Sequence, residues 1–453
     1  MSTASHGAKG LGWAVFLSST LAWGQEPSRE ASPGAGAGTR FELHPQSSLT
    51  TPAMRLTLDD AVGRALAKNP TYETAFLEIR RAEAVVRETK AAWLPTLYGN
   101  GSVTHLDGNR INGSTVVESQ NELGANLALT VPLVMTRQWM NTEESRLSAD
   151  ATAATSADVR RTIAYATGQA YLAVYSQKVL IEVDELARDT AKRHADYAHE
   201  RYAGGVGTSL DEVRALQQLA TDDALVQQAY AQLAAVEEAL GIVVGEEGPL
   251  DTAEDPTLAA PPSLQDGLTD AAHRTDVLAL DARLQAASKT VQDDWTDYAP
   301  YLAAVAEPFY QNPPIIPTTP MNGYALELLL TVPLYDGGLR YGQHRERDAL
   351  RDQARVAYEA GLRQARSDVR TAFEAMRRAD DGLRSSRDAA KLAAQALDLA
   401  NKAYRAGAVT NIEVIDAEQQ SRDAATQAEA AANAARQARL TMLTATGHFP
   451  KTT

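Results

Sequence analysis

The side chains best placed to do chemistry in this chain are carboxylates. Glu413 and Asp416 stand three residues apart, which sets both on one face of a helix. There are eight histidines, and His194 and His199 are five apart rather than the three or four that would aim two imidazoles at one metal ion. The chain has no cysteine, which excludes a disulfide scaffold, a thiolate zinc or iron–sulfur site, a thiol nucleophile and an acyl anchor on an N-terminal cysteine. No GxSxG, P-loop, HExxH or GxGxxG pattern stands between a strand and a helix. The expectation is therefore a protein with no catalytic, cofactor-binding or metal residues, whose acids act through charge alone.

The elements that carry these acids are long. The 453 residues are 44% hydrophobic but only 6% aromatic, and Ala, Arg, Gln, Asp and Glu crowd the rows, a composition of extended packed helices. Lys plus Arg total 43 against 58 for Asp plus Glu, a net charge of −15 that argues against a nucleic-acid partner. At the start, Lys9 precedes an apolar run from Leu11 to Trp23, and Ala22-Trp23-Gly24 supplies a cleavage site, so residues 1–24 read as a signal peptide. Residues 25–53, rich in Pro, Gly, Ala and Ser, read as a disordered extension. No later segment has 18 continuous apolar residues, so a membrane crossing would have to use strands that close into a barrel.

The remainder is written twice. Thr130-Val131-Pro132-Leu133 returns as Thr331-Val332-Pro333-Leu334, Trp93-Leu94-Pro95 is answered by Tyr298-Ala299-Pro300, and Tyr202 to Gln218 resembles Tyr404 to Gln420. Three landmarks in one order define a repeat of about 200 residues. The first unit spans 54–247 and the second 264–446, with a linker at 248–263 and a tail at 447–453. In the first, Thr57 and Asp60 have capping-box spacing, and Asn69-Pro70 breaks one helix from the next.

After each proline the period changes to two. Leu123, Ala125, Leu127, Leu129 and Val131 alternate with Glu122, Gly124, Asn126, Ala128 and Thr130; Tyr324, Leu326, Leu328, Leu330 and Val332 do so against Glu327 and Thr331. With a weaker strand before each, hairpins at about 96–133 and 301–334 follow. Strands of about ten residues can cross a tilted bilayer. Four strands cannot close a pore alone, so they either rest on a water-soluble core or join strands of other copies.

Beyond each TVPL lies a long helical hairpin, at 134–241 and at 336–445. In the second, Tyr358, Leu362, Ala365, Val369, Ala372, Met376, Ala379, Leu383, Ser386, Ala390, Ala393, Leu397, Ala400 and Tyr404 keep four-three spacing, the coiled-coil period. Gly407 and the pair Gly204 and Gly205 suit helix ends, and both Ser209 to Glu212 and Thr410 to Glu413 have capping-box spacing for the returning helices.

The paired TVPL strand ends, the paired segments YAGGVGTSLDEV and YRAGAVTNIEVID, and the twofold order of helix, hairpin, long helix, turn and helix resemble the TolC-like outer membrane efflux protein family along nearly all of the chain after residue 24. The resemblance implies a mainly α fold with a pair of membrane β-hairpins, in which three chains share a 12-stranded β-barrel continued into the periplasm by a hollow α-helical barrel. It implies a homotrimer in outer membrane lipid that meets a periplasmic adaptor protein and an inner membrane transporter, often of the resistance-nodulation-division type. It also implies an acidic ring at a narrowed periplasmic entrance, falling here on Glu413 and Asp416, which in three copies would favour cations and raise some of their own pKa values. Capping by Thr410 would account for Glu413, and a solvated helix face for Asp416.

In the family, a tyrosine and an arginine near the second turn hold the entrance closed. Tyr404 matches the tyrosine and Asp211 an acidic partner, whereas Val409 stands where the arginine is expected; Arg405 or Arg201 could replace it only with different geometry. As a member of the heptad seam, Tyr404 could equally be core. The resemblance makes Gly204, Gly205, Val206 and Gly207, with Ala406, Gly407, Ala408 and Val409, the adaptor-docking tips; as helix caps these small residues serve local structure too. The leading reading is an efflux exit duct. The alternatives are the outer membrane component of a type I secretion system and a soluble periplasmic coiled-coil scaffold.

Overall fold

The computed structural model describes residues 54–113, 115–314 and 319–450. The segments read as signal peptide and extension, and the last three residues of the tail, lie outside them. A short strand, β1 (Met54–Leu56), leads into α1 (Leu58–Lys68). Thr57 caps that helix by accepting the Asp60 N–H at 3.2 Å, and Asn69 both ends it and caps α2 (Pro70–Ala91) through the Thr71 N–H at 2.9 Å. The break read at Asn69-Pro70 is this double cap.

The first strand pair is β2 (Thr96–His105) and β5 (Asn121–Val134); between them a small ribbon, β3 (Arg110–Asn112) with β4 (Thr115–Glu118), forms where only a loop was expected. Then come two long helices, α3 (Thr136–Ala203) and α4 (Ser209–Val244). At about 1.5 Å per residue the 68 residues of α3 make a rod of roughly 100 Å.

Within the segment read as a linker, β6 (Leu250–Thr252) is buried and pairs in parallel with β1, Met54 facing Leu250. Neither strand has the length or alternation that marks a strand in sequence, so the pairing was not legible there. The second unit follows as α5 (Leu264–Asp270), α6 (Thr275–Gln292), β7 (Tyr301–Asn312), β8 (Asn322–Thr331), α7 (Leu339–Arg405) and α8 (Asn411–Ala445). Among the described residues, no helix is long and apolar enough to cross a membrane.

The strands form one antiparallel sheet in the order β2-β5-β7-β8, so the two repeats meet at β5 and β7. The register sorts side chains by chemistry. Val103 opposes Leu123, Leu129 opposes Ala306, and Ala306 opposes Leu326, giving an apolar face; Ser102, Asn100, Asn126, Glu307 and Glu327 lie on the other. Asn126 Nδ2 donates to Glu307 Oε1 across the seam between the repeats. The apolar face is bare: Val103 is 83% and Leu326 73% exposed. Among the described residues, no strand lies beside the outer edges of β2 and β8.

The core lies along the helices. One cluster joins β1 and α1 to α3 and the ends of α4 and α8 through Leu56, Val62, Tyr171, Leu172, Leu240 and Leu440. A second joins α5 to α8 through Val277, Val369 and Met442. On α7 each seam position from Tyr358 to Tyr404 is buried or partly buried, because one stripe of the rod packs on α6 and α8 while the rest faces outward.

Candidate entrance at the helical tips

Each helical hairpin turns through the same backbone device. In the first, the Gly205 N–H donates to the Tyr202 carbonyl (3.0 Å) and the Val206 N–H to that of Arg201 (3.0 Å); in the second, Gly407 reaches Tyr404 (3.0 Å) and Ala408 reaches Ala403 (2.8 Å). These are paired Schellman closures, and they need the left-handed backbone that Gly205 (φ 71°) and Gly407 (φ 74°) adopt. Gly204, Gly205, Val206, Ala406, Gly407 and Ala408 are exposed, while Gly207 and Val409 are partly covered.

The returning helices start at equivalent threonines. Thr208, one residue before the expected box, caps α4 by accepting the Asp211 N–H at 3.2 Å, and its hydroxyl donates to the Asp211 carboxylate at 2.8 Å. Thr410 donates to Glu413 at 3.1 Å. Thr208 and Asp211 thus correspond to Thr410 and Glu413 in the duplicated plan. The sequence pointed to Ser209 because serine and threonine are both good caps and stand side by side.

Glu413 and Asp416 are both exposed and project from the first turns of α8, on the side opposite the buried Val414, Ile415 and Glu418. Tyr404 is 6% exposed, on the buried seam, with its ring edge-on to His194 (5.5 Å between centroids) and Tyr197 (5.7 Å). Burial pushes its phenol above the usual tyrosine range, with Arg201 opposing and Asp211 adding to the rise. Within one chain Tyr404 and Asp211 make no hydrogen bond, since the carboxylate is taken by Thr208. Arg201 lies 4.8 Å over the Tyr404 ring and donates to its backbone carbonyl at 3.3 Å, and Arg405 lies 5.9 Å over Tyr197. These two arginines crowd the tyrosine pair, and Val409 contributes no charge there.

Polar contacts, those of His194 buried and the others partly so, join one hairpin to the other just behind the tips. His194 contacts Glu418 (3.0 Å) and Asn411 (2.7 Å); Arg422 pairs with Asp222 (2.8 Å); Gln419 donates to Gln218 (2.7 Å). Sequence reasoning passed over all of them, having weighed His194 only as a metal ligand and set that aside on its spacing from His199. The available signal was polar residues at helical spacing, Asn411, Glu418 and Arg422, interrupting the stripe that Val414 and Ile415 begin. On the exposed side His199 Nδ1 lies 2.6 Å from Glu212 Oε1, and that carboxylate holds the His199 imidazole above the usual histidine range.

A bare apolar sheet at one place, two rods of roughly 100 Å, and tight turns carrying exposed carboxylates are features of a membrane duct subunit. The chain belongs to the outer membrane efflux protein family, whose model matches residues 61–246 and 270–448. The family is one of channels of the outer membrane with a long helical extension into the periplasm. No curated protein is similar enough in sequence to match. Among solved structures the chain is similar in fold to CusC (TM-score 0.76, 18% identity, covering 90% of this chain and 95% of that one). It is similarly close to VceC of Vibrio cholerae (0.72, 20%, 86% and 96%) and to the open state of the MtrE channel of Neisseria gonorrhoeae (0.72, 18%, 86% and 88%).

Proposed function

We propose that three copies of this chain form the exit duct of a tripartite efflux pump, receiving substrate at the helical tips and releasing it through a shared barrel. The observation that carries this reading is the four-stranded sheet, which has a bare apolar face and, among the described residues, two unpaired edges, β2 and β8. In lipid each unpaired backbone group costs several kcal/mol, so β8 of one copy must meet β2 of the next until a ring closes. Three copies bring twelve strands, an even number in the range of outer-membrane barrels.

At the other end the tip segments Gly204 to Gly207 and Ala406 to Val409 form the surface for a periplasmic adaptor, because small exposed residues let another helical tip approach closely. The adaptor in turn couples the duct to an inner membrane transporter, for which the resistance-nodulation-division type is the first candidate. Glu413 and Asp416 line the entrance as a ring of six carboxylates in the trimer, with Tyr404 and Asp211 making closing contacts between neighbouring copies.

Planar-bilayer recording of the purified protein tests this. Single-channel currents that prefer cations, with the preference reduced in Glu413→Ala combined with Asp416→Ala, are the expected result. Currents unaltered in the double variant would remove the ring and leave the duct; no current from a protein extractable without detergent would remove the duct.

A further inference from the structure

Behind the tips His194 is buried, and each ring nitrogen faces an oxygen: Nδ1 lies 3.0 Å from Glu418 Oε1 and Nε2 2.7 Å from Asn411 Oδ1. The Asn411 amide is oriented by its other end, since Nδ2 donates to the Asp211 backbone carbonyl at 3.1 Å. Turning it would press two carbonyl oxygens together. Asn411 Oδ1 therefore accepts, and His194 Nε2 must carry a hydrogen.

The His194–Glu418 contact can then be a hydrogen bond only if it contains one further proton, on Nδ1 or on Oε1. With it the pair is neutral. Without it a nitrogen lone pair faces a carboxylate that is 94% buried at its side chain, the complement of its 6% exposure, and whose Oε2 meets no donor among the described residues. Arg422, one turn along α8, cannot serve, being held by Asp222 (2.8 Å) and Asp423 (2.9 Å).

The charged groups around the pair are Arg193 and Arg201 from α3, Asp398, Lys402 and Arg405 from α7, and Asp211 from α4 beyond the Asn411 bond. The phenols are Tyr197 and the buried Tyr404. On the other side of Glu418 stand Asp222 and Arg422, already paired with each other, and none of the groups around the pair donates to Glu418 Oε2 among the described residues.

We infer that His194, Glu418 and Asn411 form a proton-dependent clasp between the two helical hairpins. With its proton the pair holds α8 against α3 and keeps the tips together; on losing it at alkaline pH it releases α8, and the tips separate. The assignment rests on the reading of the tips as the duct entrance, in which His194 and Glu418 are positioning residues that touch no substrate.

Because the chain has no cysteine, Ala408→Cys supplies a single site for a spin label at the second tip. Distances between labels in the detergent-purified oligomer, and conductance in a planar bilayer, are followed from about pH 5 to about pH 9, across the ordinary histidine range. On the otherwise unaltered chain, tip spacing and conductance both rise with pH. In Glu418→Gln the amide can donate to a neutral Nδ1, so both readouts stay at their closed values throughout. In Glu418→Ala, where His194 loses its partner, the open population at acid pH rises about tenfold.

Tip spacing that ignores pH in the parent protein, or a Glu418→Gln variant that follows pH as the parent does, overturns the clasp. Spacing that follows pH as expected while conductance does not would uphold the clasp and remove the tips as entrance.

Discussion

At the tips, single residues do two jobs at once. Glu413 accepts a hydrogen bond from Thr410 and still projects into solvent with Asp416, so a cap and a charged lining need not compete for one carboxylate. His199 offers a simple check on the electrostatics. Its pKa is raised by the Glu212 carboxylate; a raised folded value means the pair supports the folded tip at pH below the unfolded histidine pKa and loses that support as pH rises through the folded one. Nuclear magnetic resonance titration is expected to place His199 above the ordinary value of about 6.5, and Glu212→Gln is expected to bring it back down. A midpoint unmoved by that substitution would contradict the pairing. The acids were proposed from the family resemblance; in the duplicated plan Glu413 answers Asp211, whereas Asp416 stands opposite Arg214. The histidine clasp was not legible, because its members lie more than 200 positions apart and the spacing of one residue in a chain says nothing of what packs on it from another helix.

At the scale of elements, the duplicated plan did most of the work. The seam on α7 was readable residue by residue, since a rod packed along one stripe has to repeat its small and apolar residues at the helical period. The turns were readable through glycine, and here the physical cause can be tested. Gly407→Ala forces a side chain into the left-handed region at a cost of about 1 kcal/mol, so amide exchange at Ala408 should accelerate about fivefold while the middle of α7 is unaffected. Equal acceleration along the whole helix would mean that the tip does not open by itself. What stayed hidden was short and non-local. The β1–β6 pair has three residues a side drawn from segments nearly 200 positions apart, too few for a period to declare itself. The β3–β4 ribbon pairs only three or four residues a side, too short a run for an alternating period to show.

For the whole molecule, the sheet that ends in two bare edges sets the conditions for everything else. Leu328 lies on the apolar face, 67% exposed, near the middle of β8. Leu328→Arg is expected to cost about 2–4 kcal/mol of insertion free energy, read as reduced folding into liposomes at equal lipid concentration. On the opposite face Glu327→Gln should be nearly silent in the same assay, and a matching loss there would mean that the two faces of the sheet have been assigned in reverse.

The edge-to-edge join also has a genetic consequence. In the proposed trimer β8 of one copy meets β2 of the next, an unlike pair of surfaces, and the ring is complete only when all three joins are sound. A cell making equal amounts of an intact chain and one with a ruined β8 edge would assemble an unblemished ring only about one time in eight, from random mixing of three subunits. Damage to that strand should therefore be dominant, whereas a chain that never reaches the membrane should be recessive.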